Sequence, residues 1–333
     1  MKRTAPTIAS VALLALSLAA CGAPSSGPTV TPERTTVTIA SLKGPTTMGL
    51  VHLMDEASAG TSSLDYQVTV EGTPDAIVPE IAQGSVDIAL IPANLAAVLY
   101  NKTHGTDAAI EVLAINTLGV IYVVESGDTI HSIADLKGRT VYSAGKGAPP
   151  EYVLNYLLAQ NGLKPGVDVD VQYLSEHSEV ATRVASEPGT IGVLPQPFVT
   201  IVESQNPAVR TALDFTQEWA AVSTDSQLVT GVVVVRKAFA DAHPDAVTTF
   251  LREYQASTTF TNEHPDQAAP LIVAAGIVPT VEIAEAAIPA CQITFIAGDD
   301  LRSTLSGYLT VLFNADPTSV GGSLPGDDFY YGG

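Results

Sequence analysis

The sequence predicts an α/β protein of two lobes, each a mostly parallel sheet flanked by helices, and three observations lead there. The chain twice makes the same unit, a strand ending in a Gly/Lys turn that opens a helix: Thr36–Leu42 with Lys43-Gly44-Pro45, and Thr140–Ser143 with Ala144-Gly145-Lys146-Gly147 and Pro149. Each unit has the same sequel, a short apolar strand closed by proline, Val86–Pro92 and Thr190–Pro195. Between these units strand and helix patterns alternate, the rhythm of parallel strands joined by crossover helices.

Thr36–Leu42 alternates and is β-branched, as a strand is. Lys43-Gly44-Pro45 breaks it, and Thr46 or Thr47 reads as the cap of a helix carrying Met48, Leu50, Val51, Leu53 and Met54. A Gly turn at a helix N-terminus presents unpaired N–H groups and the positive end of a helix dipole, which suits an anionic or carbonyl-bearing ligand. An ordinary βα loop explains the first turn equally well; the second copy shifts the reading toward binding. Tyr66–Glu71 is the next strand, Thr73-Pro74-Asp75 opens a helix that stops at Gln83-Gly84, Asn94 begins a helix to Tyr100, and Ile110–Asn116 is a further buried strand.

Two wholly apolar strands that begin with glycine, Gly119–Val124 and Gly231–Arg236, bracket the second unit. They place a second lobe at residues 119–230 and return the chain to the first, which takes residues 36–118 and 231–333. Asp168–Tyr173 adds a strand to the second lobe, and Glu176-His177-Ser178-Glu179 reads as a helix start rather than a metal site. His243-Pro244-Asp245 and His264-Pro265-Asp266 are also helix starts. The last helix buries Leu301, Leu305, Leu309 and Leu312, and Gly326–Gly333 is expected to be a loosely held tail.

At the N-terminus Lys2 and Arg3 precede an apolar run ending Leu18-Ala19-Ala20-Cys21, the pattern of a secretory signal over residues 1–20. That run is too short to span a bilayer. Gly22–Pro32 is rich in Gly, Ser, Pro and Thr, so residues 21–35 read as a flexible tether. The formal net charge of −20 repels nucleic acid and anionic headgroups, which argues against any function on DNA or RNA. Beside Cys21 the chain has one other cysteine, Cys291, expected as a buried free thiol.

The six histidines lack the spacing of a zinc site, and neither a G-x-S-x-G elbow nor a phosphate loop is present. Nothing asks for a cofactor or for catalysis. The expected site is a cleft beyond the carboxyl ends of the strands. Lys43, Gly44, Thr46 and Thr47 face it from one turn and Gly145, Lys146 and Gly147 from the other. Asn94, Asn116, Glu176 and Gln196 would add hydrogen bonds, and Phe198 and Trp219 would stack on a planar group. Glu176 argues against a simple inorganic anion, so the expected ligand is an organic solute, anionic or heteroaromatic, about the size of a sulfonate or a pyrimidine precursor. The alternative leaves Lys43 and Lys146 solvated at the rim.

Leu42–Gly49, Ile133–Gly138 with Thr140-Val141, and Leu194–Phe198 are similar to stretches of the nitrate, sulfonate, taurine and thiamine-precursor binders. With Leu18–Cys21 resembling a bacterial lipobox, the chain over nearly its whole length resembles a substrate-binding lipoprotein of an ABC importer with the type II periplasmic-binding fold. The resemblance implies a lipidated Cys21 holding a monomer at the extracytoplasmic face of the membrane, a hinge at Asn116–Gly119 and Thr230–Gly231, and delivery of a small-molecule solute to ABC permease and ATPase subunits. It leaves open a sensor domain that presents its ligand to a receptor kinase. Pyrimidine synthases share the scaffold but carry a cysteine-rich motif that this chain lacks.

Overall fold

The computed structural model describes residues 34–332. The signal segment, Cys21 and the tether up to residue 33 lie outside the described residues. Arg34 and Thr35, expected in the tether, belong to the body: the Arg34 guanidinium donates to the carbonyls of Gly60 (3.1 Å) and Ser62 (2.9 Å), and the Thr35 carbonyl accepts from the Asp65 amide (3.0 Å).

The first part of the chain runs β1 (Thr36–Leu42), α1 (Pro45–Met48), α2 (Val51–Ala59), β2 (Asp65–Glu71), α3 (Pro74–Gln83), β3 (Ile88–Pro92), α4 (Ala93–Thr103) and β4 (Ile110–Leu118). It then crosses into β5 (Ile121–Ser126), β6 (Thr140–Ser143), α5 (Pro149–Gln160), β7 (Asp170–Tyr173), α6 (His177–Ser186), β8 (Ile191–Pro195), α7 (Phe198–Gln205), β9 (Val209–Asp214) and α8 (Phe215–Val222). It returns through β10 (Val229–Arg236) to α9 (Lys237–Ala242), α10 (Pro244–Glu263), α11 (Pro265–Ala274), α12 (Val281–Ala287), β11 (Ile293–Ile296) and α13 (Gly298–Ala315).

The strands form two sheets, ordered β11-β4-β10-β3-β1-β2 and β7-β6-β8-β5-β9. Within each, three strands run parallel (β2, β1, β3 and β7, β6, β8) and the strand that crosses between lobes is inserted antiparallel beside them. The apolar pair picked out by glycine starts therefore occupies one structural position twice: β10 between β3 and β4, β5 between β8 and β9. All of β5 and nearly all of β10 is buried, which is why neither shows polar alternation.

The turn after β1 and the C-terminus also differ from expectation. The helix after β1 is broken at Gly49-Leu50 into α1 and α2, and its cap is Gly44, at φ 137°, rather than a threonine. The two threonine hydroxyls instead donate back to the Leu42 carbonyl, closing the end of β1. The C-terminal residues are not a loose tail. Phe329 is fully buried against Tyr100 with ring centroids 5.1 Å apart, Tyr330 bridges to Val112 beside β4, and the Tyr331 amide donates to the Val112 carbonyl (3.0 Å). Asp328 accepts from the Tyr100 hydroxyl and pairs with His104 Nε2 at 2.9 Å.

The lobes share packing as well as chain crossings. Trp219 of α8 lies between Tyr156 of α5 (4.9 Å) and Tyr308 of α13 (5.5 Å), and one continuous apolar core includes residues of both sheets together with Leu301, Leu305 and Leu309 of α13. Trp219, expected to stack on a ligand, is 1 % exposed, and its indole N–H donates to the Ser226 carbonyl (3.1 Å). Among the described residues no helix is long and apolar enough to cross a membrane.

Candidate functional site: a cavity between the two sheets

The carboxyl ends of β1, β3 and β4 face those of β6 and β8 across a cavity of about 140 Å³. Its walls come from both lobes: Leu42, Pro45, Thr46, Pro92, Thr117 and Gly231 from one, Val120, Ile121, Gly145, Ala148, Pro195, Gln196 and Phe198 from the other. It is mainly apolar, and six of its lining residues are prolines: 45, 74, 92, 149, 150 and 195. Pro45, Pro74 and Pro149 sit at the first turns of α1, α3 and α5, where a missing N–H costs nothing.

The polar groups of the wall are few and mostly committed. The hydroxyls of Thr46, Thr117 and Thr230 donate to the Leu42 carbonyl (3.0 Å), to Asn116 Oδ1 (3.1 Å) and to the Thr117 carbonyl (3.3 Å). Each then has only lone pairs left to offer. Gln196 is 5 % exposed; its backbone N–H is held by the Val120 carbonyl (3.0 Å) and its Oε1 accepts from the Thr200 amide and hydroxyl (3.2 and 2.9 Å). That leaves its Nε2 as donor. Lys43 lies exposed at the edge, and His177, at the start of α6, packs its ring 5.6 Å from Phe198. Burial pushes the His177 pKa down to about 4, so the ring is neutral at physiological pH.

Of the residues expected here, Lys43, Thr46, Gly145, Gln196 and Phe198 line the cavity. Gly44 caps α1 without lining it. Thr47 is fully buried and turned to Ser41 Oγ (2.7 Å). Asn94 is buried and donates to the carbonyls of Gly147 (3.1 Å) and Ser319 (3.0 Å), so it ties segments together rather than facing a solute. Asn116 stands behind Thr117, its side chain in the space a Cβ on Gly231 would need, 2.4 Å from Oδ1. The Gly147 amide, expected to meet an anion, is taken by the Glu151 carboxylate (2.6 Å). Lys146 is exposed, 6.0 Å from the Tyr173 ring centroid and outside the cavity wall. Glu176 is an exposed cap residue accepting from the Ser178 hydroxyl (3.1 Å) at the outer mouth. Thr117, Val120, Thr230, His177 and the prolines also line the cavity, none of them expected as ligand contacts. The prolines carried a signal, since they stand where strands end and helices begin, the binding face of an open α/β sheet.

The crossing lies at the cavity wall. The Gly119 amide donates to the Leu228 carbonyl (2.8 Å), joining the outgoing and returning segments. Gly119 and Val120 both hold positive φ, 54° and 66°. For a β-branched residue that conformation is an outlier costing about 1–3 kcal/mol. A third segment braces the crossing: the Gln292 carbonyl accepts from the Leu118 amide (3.3 Å) and the Ala290 carbonyl from the Tyr122 hydroxyl (3.3 Å). Nearby Cys291 is buried with Sγ 3.5 Å from Met48 Sδ, and burial pushes its thiol pKa up, as for an inert core thiol.

Two lobes with a cavity at the facing strand ends define a solute-binding protein of the two-lobed periplasmic type. The model of the ABC-transporter phosphonate periplasmic substrate-binding proteins matches residues 54–285, and the chain belongs to that family. Solved structures agree on the fold. An ABC transporter protein of Parabacteroides distasonis superposes with a TM-score of 0.72 at 20% identity, covering 89% of this chain and 98% of that one. The periplasmic aliphatic sulphonate binding protein SsuA of Escherichia coli gives 0.67 at 17%, covering 90% and 96%. The periplasmic nitrate-binding protein NrtA of Synechocystis PCC 6803 gives 0.58 at 13%, covering 81% and 75%. A comparison with curated proteins gives no match.

Proposed function

We propose that this periplasmic substrate-binding component of an ABC transporter captures a small organic solute in the cavity between the lobes and hands it to a permease, working as a monomer anchored through a lipidated Cys21. The observation that carries the solute class is the state of the wall hydroxyls. Thr46, Thr117 and Thr230 donate their protons to protein acceptors, so toward a solute their hydroxyls could only accept. An oxyanion, which only accepts, would find Gln196 Nε2, the His177 ring and the rim ammonium of Lys43, while Gly147 N–H and Lys146 stand elsewhere. A ring bearing N–H or O–H donors suits this wall better. Size agrees, since an apolar cavity of about 150 Å³ takes one benzene ring. The heteroaromatic reading is thus supported over the anionic one, although the family model is described by phosphonate and the structural neighbours by sulphonate and nitrate.

Thermal shift tests it, because a ligand that binds only the folded state raises the melting temperature. Amino- and hydroxy-substituted heteroaromatic compounds are expected to stabilise the protein more than nitrate, alkyl sulfonates or alkyl phosphonates. A simple oxyanion giving the largest shift would overturn this reading. Cys21→Ser should release the protein from the membrane fraction; unchanged partitioning would remove the anchor.

A further inference from the structure

A second cavity, of about 570 Å³, opens outward from the first. The two share Lys43, Gly72, His177 and Phe198, which form the neck between an inner chamber and an outer vestibule. The vestibule is also divided between the lobes: residues 276–279, the turn between α11 and α12, face Thr182 of α6 and Gln205 of α7. Hydrogen-bonding groups line it, Ser178, Thr182, Gln205 and the carboxylate of Glu176, between apolar stretches at Ile201 and Ile277. At the neck, His177 Nδ1 is sealed from solvent and has no partner among the described residues, so Nε2 is the ring nitrogen that a solute could meet. The chamber holds about one ring, and the vestibule is about four times as large, so a lone ring leaves most of the continuous space unfilled.

Resting on the solute-binding reading above, we propose that the site is bipartite: the inner chamber takes a ring-sized head, the vestibule takes a hydroxylated tail of the same molecule, and His177 hydrogen-bonds the solute where it passes Phe198. The solute class is then a ring joined to a polyhydroxyl group, nucleoside-like or glycoside-like, rather than a free ring.

Calorimetry with matched probes tests this: cytosine against cytidine, and benzyl alcohol against its glucoside. In at least one pair the tailed member should bind roughly tenfold more tightly than its free ring. Thr182→Trp, at an exposed position of α6, should erase that advantage by filling the vestibule while leaving the free ring's affinity unchanged. His177→Phe, which keeps the ring packing on Phe198, should weaken the tailed probe about tenfold. Equal affinities within each pair, indifference of the tailed probe to Thr182→Trp, or no binding of any of the four probes overturns the bipartite site. Failure of the broader reading looks different: a solute would bind with an affinity that ignores Gln196→Ala. If Gln196→Ala weakens a free ring and tails add nothing, the chamber stands and only the vestibule subsite falls.

Discussion

Asn94 Nδ2 donates to the carbonyl of Gly147 at 3.1 Å, joining the start of α4 in one lobe to the loop before α5 in the other. The same nitrogen reaches the Ser319 carbonyl at 3.0 Å, so one amide holds three segments. Asn94→Ala leaves two carbonyls without this donor and is expected to cost about 1–3 kcal/mol. Thermal denaturation reads this directly, and a wild-type melting temperature would show that this tie contributes no stability.

Gly231 and Gly119 are expected to tolerate alanine poorly for different reasons. A Cβ on Gly231 would lie 2.4 Å from Asn116 Oδ1 and 3.0 Å from Thr46 Cγ2, at the cavity wall. Gly231→Ala should therefore lower both stability and solute affinity. A Cβ on Gly119 would meet Thr216 Oγ1 at 2.3 Å on a backbone at φ 54°, so Gly119→Ala pays in strain as well as contact. Thermal denaturation with and without solute separates the two. Wild-type affinity in Gly231→Ala would remove the crossing strand from the site.

Glu125 is buried in β5 and accepts from the Thr129 amide and hydroxyl, the Ile130 amide and Arg210 Nη2 (3.1 Å). Burial alone would raise its pKa, but these donors and the guanidinium outweigh it and hold the carboxyl below its ordinary value of 4.5. A carboxyl depressed in the folded state contributes its stabilisation fully above the unfolded value and loses it as pH falls through the folded one. Stability should thus decline below about pH 4.5 and decline less in Glu125→Gln. At neutral pH that variant should be about 1–3 kcal/mol less stable, since the amide loses the charge-assisted bonds that the carboxylate accepts while Arg210 keeps Asp128 at 3.0 Å. Equal acid sensitivity of the two proteins would contradict the assignment.

Phe329→Ala should cost about 3–5 kcal/mol, as removal of a fully buried ring does. Chemical denaturation reads this directly. A change near zero would restore the loose tail that the sequence suggests.

That tail shows where sequence reading stops. Gly326, Gly332 and Gly333 and two aspartates near the chain end look solvated, while Phe329, Tyr330 and Tyr331 are the signal that the segment packs. The paired strand-turn-helix units and the two apolar strands were legible because buried strands write their burial into composition, with no tertiary information needed. The site was legible only in part. Lys43, Thr46, Gly145, Gln196 and Phe198 follow from the rule that ligands meet strand ends. Whether a loop residue points inward depends on partners far along the chain: Ser319 and Gly147 turn Asn94 into a tie, and Glu151 takes the Gly147 amide. The prolines mark strand ends at 45, 92 and 195 and helix starts at 74 and 149, and the same positions make them walls.

A solute in this cavity is expected to touch both lobes at once. A calorimetric titration tests this, with a stabilising solute titrated into the wild type, into Thr46→Val on the first lobe and into Phe198→Ala on the second. Both variants are expected to bind about tenfold more weakly, with unaltered stoichiometry. Wild-type affinity in either one would mean that the solute rests on a single lobe, and the interlobe site would be contradicted.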